Sequence, residues 1–304
     1  MKMKKEKILV FLIVAFLVLI VSDGFLYFFC PNASWIFGAQ KYFQNAPVLL
    51  QARKFYQNEN IQLKIDEYIL WRKIVQLDGG FENKKLKEGY EKETRKNPFY
   101  GMLDGGADLN VDIKRNFENV DDLKNFVSDK EYLENRFYEI EGGKEYLEDP
   151  WDDVLLKALY CKSTGYDGLD WKVMELLNDG KGGYLDTHFL LGLLFLENGK
   201  CFDEAEIKKV KSRVIDEIVL AQERDEKFSD LYAERIVFLY WAGEGEKVEK
   251  EWINLIQANF QNESNGWQDI GRSEVDAHTT GMAILALEYF LKNPKSQLFL
   301  ELTR

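Results

Sequence analysis

The sequence predicts an all-α protein, and three features lead to that prediction. Apolar residues recur at three- and four-residue spacing through most of the chain, the alternating β-branched runs of strands are missing, and only five prolines interrupt 304 residues. Strongly apolar helices also alternate with charge-rich ones. That alternation is typical of stacked helical hairpins, in which the apolar helices are buried on all sides and the polar ones on one side.

The N-terminal segment predicts a membrane anchor. Lys2, Lys4, Lys5 and Lys7 precede an apolar segment of 23 residues that runs from Ile8 to Cys30. Such a helix is about 34 Å long, which is enough to cross a bilayer. Because no small-x-small cleavage pattern follows, we predict an uncleaved anchor over residues 1–30 rather than a signal peptide. The lysines place the N-terminus in the cytoplasm and the remaining chain outside the cytoplasm.

The rest of the chain divides into two halves that we expect to form one domain, since no Ser/Gly-rich linker separates them. Residues 31–150 are an irregular helical half, with helices predicted over 34–58, 61–76 and 121–138 and loop-rich, acidic sequence over 82–118. Residues 151–304 are a more regular, repeated half. Its predicted helices are 151–162, 186–198, 205–224, 230–242, 247–260 and 274–292.

The apolar helices of the repeated half begin near four aspartates, Asp152, Asp186, Asp230 and Asp276, at intervals of 34, 44 and 46 residues. The intervening helix 205–224 is polar and suits a solvated outer face. We therefore predict that 186–198, 230–242 and 274–292 are inner helices. Buried side chains should include Leu191, Leu194, Ile284 and Leu287.

The only two histidines stand in similar settings. Gly183-Tyr184 precedes Asp186-Thr187-His188, and Gly266-Trp267 precedes Asp276-Ala277-His278; an apolar helix follows each histidine. A glycine-aromatic turn, an acid, a histidine and an apolar helix, found twice, indicate an internal repeat.

These turns and Asp-x-His segments resemble the repeats of α/α-toroid proteins, which include squalene/hopene-type cyclases, protein prenyltransferase β-subunits and carbohydrate-active α/α barrels. The resemblance covers about residues 150–292 and implies an α/α toroid or an open α-solenoid. Neither the cyclase activity nor the prenyltransferase activity carries over to this chain. The cyclase Asp-x-Asp-Asp motif is replaced by Asp149-Pro150-Trp151-Asp152-Asp153, and no Asp-x-Cys accompanies His278-Thr279 to complete a prenyltransferase zinc site.

Inner helices that run in parallel would bring their first turns together at one end of the domain, where we expect a cavity. Capping of the helix N-termini would explain the aspartates without any further function. The helix dipole should keep each histidine neutral, and a neutral imidazole can act as a base, bind a metal or simply pack in the core. The catalytic candidates are Asp186, His188, Glu274, Asp276 and His278. The ligand-binding candidates are Asp152, Asp153, Tyr184, Asp230, Tyr232 and Trp267. Aromatic faces and carboxylates suit a glycan or a peptide.

Charge and motif content narrow the function classes. The net charge of −12 repels phosphate backbones, so nucleic-acid binding is not expected. Serine-elbow, P-loop and HExxH motifs are missing, and we predict no metal or cofactor. Three hypotheses remain: a membrane-anchored glycan- or peptide-binding protein, a glycan hydrolase or lyase, and a non-catalytic structural interaction module. Cys161 and Cys201 either pair in an oxidising compartment or serve as small apolar residues.

Overall fold

Helices make up most of the chain that the computed structural model describes, namely residues 47–58, 61, 63–78, 83–94, 151–178 and 182–292. All of these belong to the unit Asn45–Asn293. No strand occurs among them, which confirms the all-α prediction. None of their helices is long and apolar enough to cross a membrane. The anchor predicted over 1–30 and the helix predicted over 121–138 lie outside the described residues.

The described helices are numbered here in chain order. Residues 47–57 form α1. The later helices are α2 (Ile65–Asp78), α3 (Lys84–Thr94), α4 (Trp151–Leu159), α5 (Cys161–Thr164), α6 (Gly168–Asn178), α7 (Tyr184–Gly199), α8 (Glu204–Arg224), α9 (Asp230–Trp241), α10 (Lys250–Ala258) and α11 (Ala277–Lys292). A single 3₁₀ turn, Gly245–Lys247, separates α9 from α10.

Five helices pack side by side in a fixed order. α4 contacts α7, α7 contacts α9, α9 contacts α11, and α11 contacts α2. The other helices lie against this series: α6 on α4 and α7, α8 on α7 and α9, α10 on α11, and α3 on α2. The series follows the chain except at its last step, where the early helix α2 packs on the final helix α11.

The predicted burial of the inner helices is confirmed. Leu191, Leu194, Ile284 and Leu287 are all less than 7% exposed. Every residue of α7 from Phe189 to Leu196 is buried, as expected for a helix with neighbours on several sides. In contrast, α8 buries one stripe at three- and four-residue spacing, made of Ile207, Val210, Val214, Ile215 and Ile218.

Two glycines permit close packing inside this series. A Cβ atom at Gly281 of α11 would lie 2.7 Å from Tyr56 Oη and 2.9 Å from Leu70 Cβ. A Cβ atom at Gly192 of α7 would lie 2.8 Å from Met174 Sδ. The absence of a side chain at these positions therefore sets how closely α11 approaches α2 and α7 approaches α6.

Two helices differ from the sequence prediction. α3 lies within the segment predicted as loop-rich, because its charged residues hide a narrow apolar stripe in which Leu86 and Tyr90 are buried four residues apart. α6 was not predicted. Its glycine-flanked sequence is short, yet Trp171, Met174 and Leu177 form a buried stripe at three-residue spacing.

The two histidines do not occupy equivalent positions in their helices, unlike the matching settings that the sequence indicated. α7 begins at Tyr184, so His188 is its fifth residue, whereas α11 begins at Ala277 and His278 is its second. Gly182 and Gly183 have φ of +71° and +72°, a conformation that glycine adopts easily, and α7 begins directly after them, two residues before Asp186. In α11 the helix begins only after Asp276.

A disulfide joins Cys161 to Cys201, with a Cα–Cα distance of 5.9 Å. Of the two alternatives left open by the sequence, the structure shows the paired one. The bond connects α5 to the residue that follows the turn after α7. Gly199 makes room for it, since a Cβ atom there would lie 2.5 Å from Cys161 Sγ.

Candidate functional site

The first turns of α2, α7, α9 and α11 meet at one end of the unit. Asp66 of α2, Tyr184 of α7, Asp230 of α9 and His278 of α11 each stand first or second in their helix. His278 Nδ1 lies 2.7 Å from Asp230 Oδ1, the Tyr184 hydroxyl donates to Asp230 Oδ2 at 2.9 Å, and Asp66 Oδ2 lies 4.0 Å from His278 Nε2. Together with Glu234, these residues form what we call the polar cluster.

Other residues cap α9 and leave the Asp230 carboxylate available. The Ser229 hydroxyl accepts a hydrogen bond from the Tyr232 N–H at 3.1 Å. Asp269 Oδ1 accepts from the Asp230 N–H at 2.9 Å. Because the free N–H groups of the helix start already have these acceptors, Asp230 can direct both of its oxygens towards α7 and α11.

Asp276 caps α11, which is the structural role considered for it from sequence. Its Oδ1 accepts from the Thr279 N–H at 2.9 Å and its Oδ2 accepts from the Thr279 hydroxyl at 2.7 Å. The cap fixes the first turn of α11, in which His278 is the second residue. Asp276 therefore supports the position of His278 through the backbone.

His278 and Asp230 form a charged pair. Burial by itself would lower the pKa of His278, but the hydrogen bond and charge of Asp230, with the charges of Glu234 and Asp66, raise it to about 9. Burial would raise the pKa of Asp230, but the hydrogen bond and charge of His278, with the hydrogen bond from Tyr184, lower it overall. The expectation of a neutral imidazole is therefore wrong for His278, because nearby carboxylates outweigh the helix dipole.

Glu234 lies one helical turn after Asp230 and is only 3% exposed. The hydroxyl of Thr187, on α7, donates to Glu234 Oε1. Burial raises the pKa of Glu234 to about 7, although the hydrogen bond from Thr187 acts in the opposite direction. Asp230 and Glu234 are thus neighbouring carboxyl groups whose pKa values move in opposite directions.

The cluster is accessible from one side. Tyr184 is 42% exposed, and the side chains of Asp66 and His278 are 51% and 24% exposed. The Tyr184 ring also stacks on His188, with centroids 6.3 Å apart and an interplanar angle of 28°. Tyr184 therefore contacts both Asp230 and His188 and connects the second histidine to the cluster.

The remaining acidic candidates lie elsewhere or are not described. Asp186 is buried, and burial raises its pKa; the charges that act on it are those of Glu217, Arg235 and Arg213, two of which belong to the neighbouring α8. Glu274 is exposed in the segment before α11, outside the helix predicted to contain it. Asp152 and Asp153 stand in the first turn of α4, and their side chains lie outside the described structure.

Two aromatic candidates belong to the core and not to the cluster. Trp267 is fully buried, and its indole N–H donates to the Ile256 carbonyl at 2.6 Å. The preceding Gly266 approaches the segment before α11 closely, since a Cβ atom there would lie 2.5 Å from Val275 Cγ1. Tyr232, two residues after Asp230, is 1% exposed and lines a separate groove with Trp252 and Leu255.

Several residues of the site were not identified from sequence. Glu234 had a usable signal, since it follows Asp230 by four residues on an apolar helix, and residues at that spacing share a helix face. Asp66 had none, because α2 and α11 are distant in the chain. The sequence also did not identify Glu67, Thr187 and Asp269. Burial raises the pKa of Glu67, and the charge of His278 acts on it in the opposite direction.

Among the described residues, one group brings together donor atoms suited to a metal ion. The group consists of Asp230, Glu234 and His278. Each offers one ligand atom, and these three atoms lie within 4.8 Å of one another. The two carboxylates and one imidazole can otherwise share a proton, accept hydroxyl groups or pair with a cation.

Comparison of the chain with protein-family models, with curated proteins and with solved structures finds no significant match. Similarity therefore assigns neither a family nor an activity. The function must be argued from the chemistry of the polar cluster and from its exposure.

Proposed function

We propose that the chain is a membrane-anchored, extracytoplasmic protein that binds a glycan at the polar cluster. The observation that carries this proposal is the exposed Tyr184 ring, whose hydroxyl donates to the Asp230 carboxylate in a cluster that also contains Asp66 and the His278 imidazolium. Sugar C–H faces stack on aromatic rings, and carboxylates accept sugar hydroxyls. Asp66 and His278 lie at the exposed side of the same cluster.

The arrangement of the inner helices supports an α/α-toroid-like architecture for this binding site. The contact order α4, α7, α9, α11, α2 is the one expected of consecutive inner helices in a toroid, and an open solenoid would give the same order. In such an arrangement the helix starts surround one end, and their partial positive charges stabilise the carboxylates found there. An experimental structure in which α2 and α4 lie on opposite sides of the unit would favour an open solenoid.

The disulfide supports the proposed location. Disulfides persist in oxidising compartments and are rare in the reducing cytoplasm. Cys161–Cys201 is thus consistent with a domain exported by the anchor predicted over 1–30. Protease treatment of intact spheroplasts tests the topology: digestion of the domain is expected, and its protection would contradict the proposal.

A catalytic role is the second candidate, favoured by the opposite pKa shifts of Asp230 and Glu234, which are typical of acid and base pairs. One observation ranks it below binding. Glu234 is only 3% exposed, so a substrate has little access to its carboxyl group. Incubation of the chain with oligosaccharides, followed by product analysis, would reveal turnover.

Calorimetric titration of the full chain in mild detergent tests glycan binding. The probes are chitin oligosaccharides and β-glucan oligosaccharides, with short neutral peptides as the comparison. We expect saturable binding of at least one glycan and none of the peptides. Saturable peptide binding without glycan binding would contradict the proposed ligand class.

Variants of Tyr184 identify the surface used. Tyr184→Phe keeps the ring and should retain most of the affinity, whereas Tyr184→Ala should lower it by about tenfold or more, as expected when an aromatic contact is lost. Leu220→Ala is the matched control, because Leu220 is 48% exposed on α8 and is not part of the polar cluster. Equal binding by wild type and Tyr184→Ala would refute the proposed site.

A further inference from the structure

We infer that Asp230, Glu234 and His278 form a binding site for one divalent cation of the zinc type. These side chains come from two adjacent inner helices, α9 and α11, and their ligand atoms lie within 4.8 Å of one another. The donor set of two carboxylate oxygens and one imidazole nitrogen suits Zn²⁺ and Mn²⁺ better than a purely oxygen-preferring ion.

The charges of the buried groups favour a cation. Asp230 is 7% exposed and Glu234 is 3% exposed, and a buried carboxylate is costly unless a positive charge or hydrogen bonds compensate it. One imidazolium can balance only one of the two carboxylates. A divalent cation bound by a neutral imidazole and two carboxylates balances all of the formal charge.

The geometry requires only modest side-chain movement. Ligands about 2.0–2.2 Å from a tetrahedral zinc ion stand about 3.4 Å apart. The observed His278 Nδ1–Asp230 Oδ1 distance is 2.7 Å, and no pair of ligand atoms in the group exceeds 4.8 Å. Binding therefore requires changes of about 1.4 Å or less in the separations between these atoms.

Surrounding groups complete the site. The Tyr184 hydroxyl donates to the other oxygen of Asp230, Oδ2, as outer hydrogen bonds do when they orient a metal-binding carboxylate. Three protein ligands leave a fourth position for water or an exogenous ligand. The inference goes beyond glycan binding and does not depend on it, because the test uses the metal alone.

The test is calorimetric titration of the full chain in mild detergent, stripped with EDTA, with Zn²⁺, Mn²⁺ and Ca²⁺ in separate runs. We expect one Zn²⁺ per chain and weaker Ca²⁺ binding. His278→Gln and Glu234→Gln should each lower the Zn²⁺ affinity by about tenfold or more. Glu288→Gln is the matched control, because Glu288 is also a buried carboxylate, on α11, but pairs with Arg53.

A second measurement needs no variant of the cluster to fold. The chain has only two histidines, so ¹⁵N-histidine labelling gives few ring signals, and His188→Gln assigns them. Addition of Zn²⁺ to the labelled wild type should shift a ring nitrogen of His278. The inference is overturned if Zn²⁺ does not bind, if the His278 ring signals do not move, or if a folded His278→Gln variant binds Zn²⁺ as tightly as wild type.

Discussion

The Cys161–Cys201 disulfide should be a major source of stability, and its removal is the most direct test of the fold. The two cysteines are 40 residues apart, and the closed loop contains α6 and α7. The chain-entropy relation gives about 4 kcal/mol for a loop of this length. That is a large fraction of the 5–15 kcal/mol that stabilises a typical domain.

Urea unfolding followed by circular dichroism measures the effect on the full chain in mild detergent. We compare the oxidised chain, the reduced chain and the Cys161→Ala/Cys201→Ala variant, all in a Cys30→Ser background that leaves no third thiol. Reduction should move the midpoint down by about 1 M or more, if the urea dependence is about 3 kcal/mol per M. The double variant should behave like the reduced chain, apart from the loss of two buried sulfurs.

Thiol counting decides whether the bond exists. Alkylation of the Cys30→Ser chain under denaturing, non-reducing conditions should label neither remaining cysteine, and reduction should expose both. Labelling of both cysteines before reduction would refute the pairing. An unchanged urea midpoint on reduction, with the bond present, would refute the assigned magnitude.

Three further predictions concern packing, capping and pH. Gly281→Ala should lower the free energy of unfolding by about 1–3 kcal/mol through overpacking against α2. Gly168→Ala is the control and should change this free energy little, because no atom lies within 4 Å of the added Cβ. Urea midpoints compare the two variants, and equal midpoints would contradict the close approach of α11 to α2. Asp276→Ala should cost about 1 kcal/mol by loss of the α11 cap, and Asp276→Ser should restore most of it in thermal unfolding. Burial raises the pKa of Asp186, so its ionised form opposes folding once the pH exceeds the ordinary aspartate pKa. Asp186→Asn should therefore stabilise the chain at pH 7 and not at pH 3. A stability difference between variant and wild type that is the same at both pH values would contradict this.

The helical character of the chain and the burial of its inner helices were predictable from local sequence. Leu191, Leu194, Ile284 and Leu287 sit on apolar helices whose residue pattern leaves no solvated side, and all four are buried. The same reasoning failed for α3, since its charged residues outnumber its apolar stripe. It also failed at the start of α7, where two glycines allow the helix to begin before Asp186.

The composition of the polar cluster depended on tertiary structure. Asp230 and His278 were both candidates, but their 2.7 Å contact requires α9 to pack beside α11 in one register. The selection of Tyr184 over Trp267 also follows from packing: both follow a glycine, but Trp267 is fully buried whereas Tyr184 is 42% exposed.

By itself, the sequence determined the helices, the apolar faces that must be buried and the acidic charge of the chain, because these depend on residue type and on spacing within one helix. Only the tertiary structure decided which helix starts become neighbours. Asp66 reaches His278 because α2 packs on α11 across most of the chain's length, and Glu234 loses its solvent because α7 covers it. Pairings between distant segments and the shifts in pKa that follow from them arise from contacts that no local pattern encodes.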